Sequence, residues 1–285
     1  MLESIVNPKK TERGPIKMLL VGAVYASLSI LLVKFLFSSN TVLYHYAGMM
    51  VVTFSVMFSL PFMYYLIKKE EKEDELVEGF FGVWRMHRSA IFSFMWLFLG
   101  FTVAFSFWYI VLQDQTLFNA QIETYCAINS PGSISDCVSK YSFNGESITG
   151  SATNEVRLLS IISNNIYVML FTLAFSLIFG AGAIFILAWN ASVIAAAIGI
   201  FSQYNIGQIP LGIARYMIHG FPEIAAYFIT ALAGGIFGVG ILRHGFKDGM
   251  FARLSENTAV MLFIAIIVLI VAAILEVYLT PLIFS

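Results

Sequence analysis

Charge is what this sequence has least of. Asp, Glu, Lys and Arg make up 12% of the 285 residues, against about 25% in an ordinary soluble domain. Hydrophobic residues reach 59% and the mean hydropathy is +0.84. That balance excludes a soluble globular domain and an intrinsically disordered one. The net charge is −1, so no basic surplus exists to neutralise phosphates, which excludes nucleic acid as a partner. Histidine is scarce at four residues and cysteine scarcer at two. A nucleophile elbow, a His-Glu-x-x-His pair and a phosphate loop are all missing from the sequence, so no catalytic residue, metal or cofactor is assigned and no enzyme activity is expected.

What remains is an all-α, polytopic membrane bundle. A bilayer core about 30 Å thick needs roughly 20 apolar residues as helix. Six stretches qualify: Met18–Phe37, His45–Leu66, Ala90–Leu112, Ile166–Ala188, Phe221–Leu242 and Thr258–Thr280. A shorter one, Ala191–Tyr204, reaches only about 21 Å. It is either a short seventh crossing or a re-entrant arm.

Basic residues order these spans. Twelve of the sixteen Lys and Arg fall in three segments: Lys9 to Lys17, Lys68 to Arg88, and Arg243 to Arg253. The positive-inside rule puts all three on the cytoplasmic side. An odd number of crossings must then separate Arg157 from Arg243, so the short stretch crosses as well. The expectation is a seven-pass cell-membrane protein, N-terminus cytoplasmic and C-terminus extracytoplasmic. The first apolar run ends in Leu-Phe-Ser-Ser-Asn, without a small-x-small cleavage pattern, and is expected to stay as an anchor. Trp84, Tyr64, Tyr65 and Trp189 would line the inner border, and Tyr44, Tyr46, Trp108, Tyr109, Tyr167, Tyr204 and Tyr278 the outer one.

The chain divides into a cytoplasmic N-terminus (1–17), a three-helix part (18–112), an extracytoplasmic loop (113–157) and a four-helix part (158–285). Within the second of these, residues 68–89 read as a cytoplasmic helix. It opens Lys-Lys-Glu-Glu-Lys-Glu-Asp-Glu and continues with Leu76, Val77, Phe80, Phe81 and Trp84 at helical spacing. It is either a solvated elbow or a docking surface for a partner. The loop holds both cysteines, Cys126 and Cys137. In an oxidising compartment they are expected to form a disulfide.

The ionisable residues within the spans are the candidate site. Arg215, His219 and Glu223 are spaced by four and share one helix face. A new helix starting near Gly220 would put Pro222 in a first turn and Glu223 near a helix N-terminus. Lys34 and Glu276 fall at the same outer depth. Five ionisable groups in one layer read as an interfacial ion-pair network or as a binding site for an ion, lipid headgroup or solute. Asn164, Asn165 and Asn190 bracket the fourth span and are expected to cap helices. Ala195 and Gly199, then Gly234 and Gly238, repeat at the four-residue spacing that lets helices approach closely.

Several of these residues carry a family resemblance. Asn164-Asn165, Gly180, Gly182, Asn190 and above all His219-Gly220-Phe221-Pro222-Glu223-Ile224-Ala225-Ala226 look like the His-Gly-x-x-Glu-x-x-Ala signature of the stage II sporulation protein M family. A glycine-rich span with Gly234, Gly235, Gly238 and Gly240 follows. The match covers roughly residues 160–280. The family's proline before the histidine is replaced by Ile218, with Pro222 after it. The first half, opening Asn7-Pro8-Lys9-Lys10, is similar to archaeal relatives. The resemblance implies a membrane component that works with cell-wall hydrolases in spore formers. For this chain it implies a scaffold with protein partners in the membrane or on the outer side, in a bilayer, with a homo-oligomer as one arrangement. The alternative is a transporter or channel built on the polar layer.

Overall fold

The structure is a computed structural model that describes residues 15–74, 80–129, 134–141, 154–179, 184–203, 205–245 and 248–284. Among these residues the architecture is all-α. Nine main helices run α1 (Pro15–Phe37), α2 (Ala47–Asp74), α3 (Phe80–Leu112), α4 (Asn119–Asn129), α5 (Ile134–Tyr141), α6 (Asn154–Phe179), α7 (Ile184–Phe201), α8 (Ile209–His244) and α9 (Asp248–Ile274). A π turn, Leu275–Leu279, and a last helical turn, Thr280–Ile283, complete α9. Six of these helices are long and apolar enough to cross a membrane, and α6 carries a shorter apolar stretch, Ile161–Leu177.

The fourth and fifth spans differ from the sequence expectation. The first of the pair ends at Phe179 and the next begins at Ile184, so the boundary falls at 180–183 and not at Asn190. Those four residues lie outside the described set; they include Gly180 and Gly182, among the poorest helix formers. The fifth span is therefore one unbroken 18-residue helix, about 27 Å long. Asn190 caps nothing: it sits inside α7 and its Nδ2 donates to the Ile186 carbonyl oxygen at 2.7 Å. Asn164 and Asn165 likewise sit inside α6, which begins ten residues earlier at Asn154. The cytoplasmic helix expected over 68–89 is not a separate element either. Its ends are the continuations of α2 and α3; residues 75–79 lie outside the described set. Unbroken propensity carries both helices past their apolar stretches.

Helix directions follow from paired contacts. Along α6 and α8, Asn165 meets Glu223, and a Cβ on Gly234 or Gly238 would lie 2.8 Å from Ser176 Cβ or 2.6 Å from the Leu177 carbonyl oxygen. The two helices therefore run the same way. Between them α7 runs back: Gly212 faces Ile198 and Phe201, and Gly220 faces Ile194. At the other side α9 pairs antiparallel with α8, through Leu254 on Gly240, Phe251 near Phe237 and Thr280 on His219.

Burial ranks the helices. Every residue from Ala226 to Ile236 in α8 is buried, as expected of a helix apolar all round. By contrast α9 exposes Phe263, Ile266, Ile267, Ile270, Val271 and Ile274, a helical stripe suited to lipid. In the first half, α1 and α3 cross at two glycines. A Cβ on Gly22 would strike the Leu97 carbonyl oxygen, and one on Gly100 the Leu19 carbonyl oxygen. Trp108 Nε1, expected at the outer border, donates to Ser27 Oγ at 2.9 Å and ties the same pair.

On the connection between α3 and α6, Cys126 and Cys137 form the expected disulfide, with Cα atoms 5.7 Å apart. It joins α4 to α5. Two predictions follow from this packing. Gly22→Val should lower the melting temperature in detergent, by the roughly 1–3 kcal/mol of an overpacked contact, because the obstacle is backbone. The Cys126→Ser and Cys137→Ser variants should each melt lower by an equal amount, of about 2–3 kcal/mol; the double variant should add nothing, as read by fluorescence-detected size exclusion after heating.

Candidate functional site

Three helices bring polar side chains to one place. On α8, Arg215, His219, Glu223 and Tyr227 follow each other one turn apart. Tyr227 OH donates to Glu223 Oε1 at 3.0 Å. The side chain of Asn165, on α6, is hydrogen-bonded to the same carboxylate. Asn164 Nδ2 in turn donates to Asn165 Oδ1 at 3.3 Å, leaving the Asn165 amide N–H groups for Glu223. The asparagine pair thus acts as a hydrogen-bond donor chain in mid-helix and not as a cap.

The other wall is α9. Thr280 Oγ1 donates to the Leu275 carbonyl oxygen at 3.1 Å and lies 3.2 Å from His219 Nδ1. A hydroxyl has one proton. With that proton on Leu275, His219 Nδ1 carries the hydrogen that bridges to Thr280. The Thr280 backbone N–H also bonds the Leu275 oxygen, closing the π turn that contains Glu276. Glu276 is near enough for its charge to act on Glu223. Arg215 sits 5.1 Å over the Phe201 ring at the end of α7, a cation–π contact. The charge of Arg215 also reaches His219.

No new helix begins at Gly220. The helix runs unbroken from Ile209 to His244 with Pro222 inside it. Proline deletes one backbone bond, to residue 218, and packed neighbours hold the rest of the helix in place. Glu223 is therefore stabilised by side chains, not by a helix N-terminus.

Lys34 is elsewhere. Its Nζ lies 3.0 Å from Asp114 Oδ2, and Tyr44 OH donates to the same oxygen at 2.6 Å. Burial, then the Asp114 carboxylate, push the Tyr44 hydroxyl well above its usual range. The raised value means stability that is complete below pH about 10 and lost as pH climbs beyond it. Asp114 was hidden in sequence because its partners are 80 and 70 residues away. Nearby, Asn119 Nδ2 donates to the His45 carbonyl oxygen at 2.6 Å and Gln121 Nε2 to that of Gly48 at 3.0 Å. These bonds fasten α4 to the start of α2.

The small-residue positions are contacts within the chain. Gly199 takes the Tyr109 ring, Ala195 is fully buried, and Gly234 and Gly238 receive α6. Trp189 departs from its expected inner border and lines a groove with α4 and α5 residues, including Glu123 and Val138. The shifted start of α7 explains this: Trp189 is its sixth residue, not the last of the helix before it. Among the described residues, no three His, Cys, Asp or Glu side chains gather as a metal site. Tyr227 and Thr280 were not singled out in sequence; Tyr227 continues the four-residue spacing, whereas nothing local marks Thr280.

Seven long helices, most of them apolar over a bilayer's width and laced by intramembrane polar contacts, define a multi-pass membrane protein. The profile of the stage II sporulation protein M family matches residues 32–281, and the chain belongs to that family. No curated protein and no solved structure matches the chain.

Asp114→Ala should melt lower than wild type by about 1–3 kcal/mol, since it strands Lys34 and the Tyr44 hydroxyl together. Raising the pH from 8 to above 10 should narrow the gap between the two proteins. A constant gap across that range would contradict the Tyr44 assignment.

Proposed function

We propose that this protein is a non-enzymatic membrane scaffold. It holds the hairpin α4–α5 on the extracytoplasmic side, where protein partners would meet it. The carrying observation is that the polar groups of the site are spent on one another. Glu223 is bonded from α6 and from its own helix, and His219 is bonded to Thr280. Such a network locks α6, α8 and α9 together and keeps a rigid surface in register. Catalysis is not part of this reading.

Glu223→Gln keeps the shape and removes the charge. Its melting temperature in detergent should fall, while solute flux through reconstituted vesicles should stay at the level of empty ones for both proteins. An unchanged melting temperature would count against the lock.

A second reading, transport of an ion or small solute, draws on one feature. Pro222 in α8 and the π turn at Leu275–Leu279 place two helix irregularities on facing sides of the same polar layer, and such irregularities often attend function in membrane helices. Flux in wild-type vesicles that His219→Ala abolishes would favour it.

The proposed orientation has the N-terminus and the loop joining α8 to α9 in the cytoplasm. The basic residues Arg243, Lys247 and Arg253 support it. Both native cysteines are paired, so Lys247→Cys supplies the one thiol. A membrane-impermeant maleimide should label it only after the cells are lysed.

A further inference from the structure

The groove beside Trp189 is the second concentration of unusual chemistry. Its volume is about 970 Å³. One wall is α7, an apolar helix of membrane-crossing length; the other is the disulfide-stapled hairpin α4–α5. The depth of this hairpin follows from its neighbours. Phe118, at the entry to α4, packs on Tyr109 with ring centroids 5.1 Å apart, and Tyr109 packs on Gly199. At the far end, Ala127 shares the groove with Trp189. Trp189 precedes Gly199 by ten residues, about 15 Å along the helix. The hairpin therefore stands beside α7 and does not sit on top of it. The groove flanks a membrane span, so lipid is what reaches it.

Its lining is selective. Ala120, Ala127, Ile134 and Val138 are apolar, and Ser135 and Ser139 carry hydroxyls. Glu123 is exposed and has no ionic or hydrogen-bond partner among the described residues. No described lining residue is positively charged. An open carboxylate and an indole in one concave surface form the pair of features that attract an ammonium group. We propose that this groove binds the ammonium headgroup of an outer-leaflet lipid, with Glu123 supplying the charge and Trp189 the aromatic wall. The inference does not depend on the scaffold reading or on the Glu223 network.

The test uses the full-length protein in non-ionic detergent, read by native mass spectrometry. Equimolar phosphatidylethanolamine and phosphatidylglycerol with identical chains compete for adduct formation. Wild-type protein should retain phosphatidylethanolamine over phosphatidylglycerol by about five-fold, the ratio that about 1 kcal/mol of cation recognition produces. Glu123→Gln should bring the ratio close to one, and Glu123→Asp should keep most of it. Both variants should melt like wild type, because Glu123 is exposed and unpaired. A wild-type ratio of one or below, or a preference that survives Glu123→Gln, overturns the proposal. Displacement of the lipid by soluble glycerophosphoethanolamine at equal concentration overturns the assignment to a lipid.

Discussion

A polar group inside a bilayer has no water to turn to, and this constraint organises the molecule. Most hydroxyls meet it locally. Ser55, Ser59, Thr102, Ser106 and Thr230 each donate to the carbonyl four residues back in their own helix. Glutamate, histidine and arginine have too much to satisfy in that way. Glu223 and His219 find their partners on other helices, at Asn165 and Thr280, and Arg215 leans on the Phe201 ring. The long-range polar contacts thus decide which faces of α6, α8 and α9 must meet, while the apolar faces are free to slide in lipid.

Close approach supplies the second ordering principle. Lipid tails are as apolar as leucine, so helices in a membrane gain little from hiding apolar surface; contact area and backbone proximity matter more. Glycine provides both at Gly22 and Gly100 in the first half and at Gly234 and Gly238 in the second. The first pair fixes α1 on α3, and the second fixes α6 on α8. The polar network lies two to three turns from Gly234, so one helix pair is held by two unlike interactions at separate depths.

How far sequence reaches in such a protein depends on the range of the interaction. Apolar length is local, and most of the spans were legible. The cysteine pairing in a short loop was legible too. The boundary at 180–183 was missed because apolar residues continue through it and hid the weight of Gly180 and Gly182. Asn164, Asn165 and Asn190 were read as caps because their side chains suit helix ends, yet in a membrane the same side chains serve as interior donors. Spacing by four placed Arg215, His219 and Glu223 on one face, and Glu276 does reach Glu223. Depth alone grouped Lys34 with them; its lateral position in the bundle, beside Asp114 and Tyr44, leaves no trace in a hydropathy profile. The connection α4–α5 looked like a cap above the membrane because its residues are polar, and only the packing of Phe118 and Trp189 reveals where it stands.

The enclosure of α8 bears on biogenesis. This helix carries three ionisable residues and hides eleven consecutive residues from every surface, so it has no face prepared for contact with lipid alone. On leaving the translocation machinery it would be the least comfortable of the spans by itself. Its shelter comes from α6, made before it, and α9, made after it. Integration of the second half is therefore expected to be a joint event, with α8 retained at the exit site until the last helix has been synthesised.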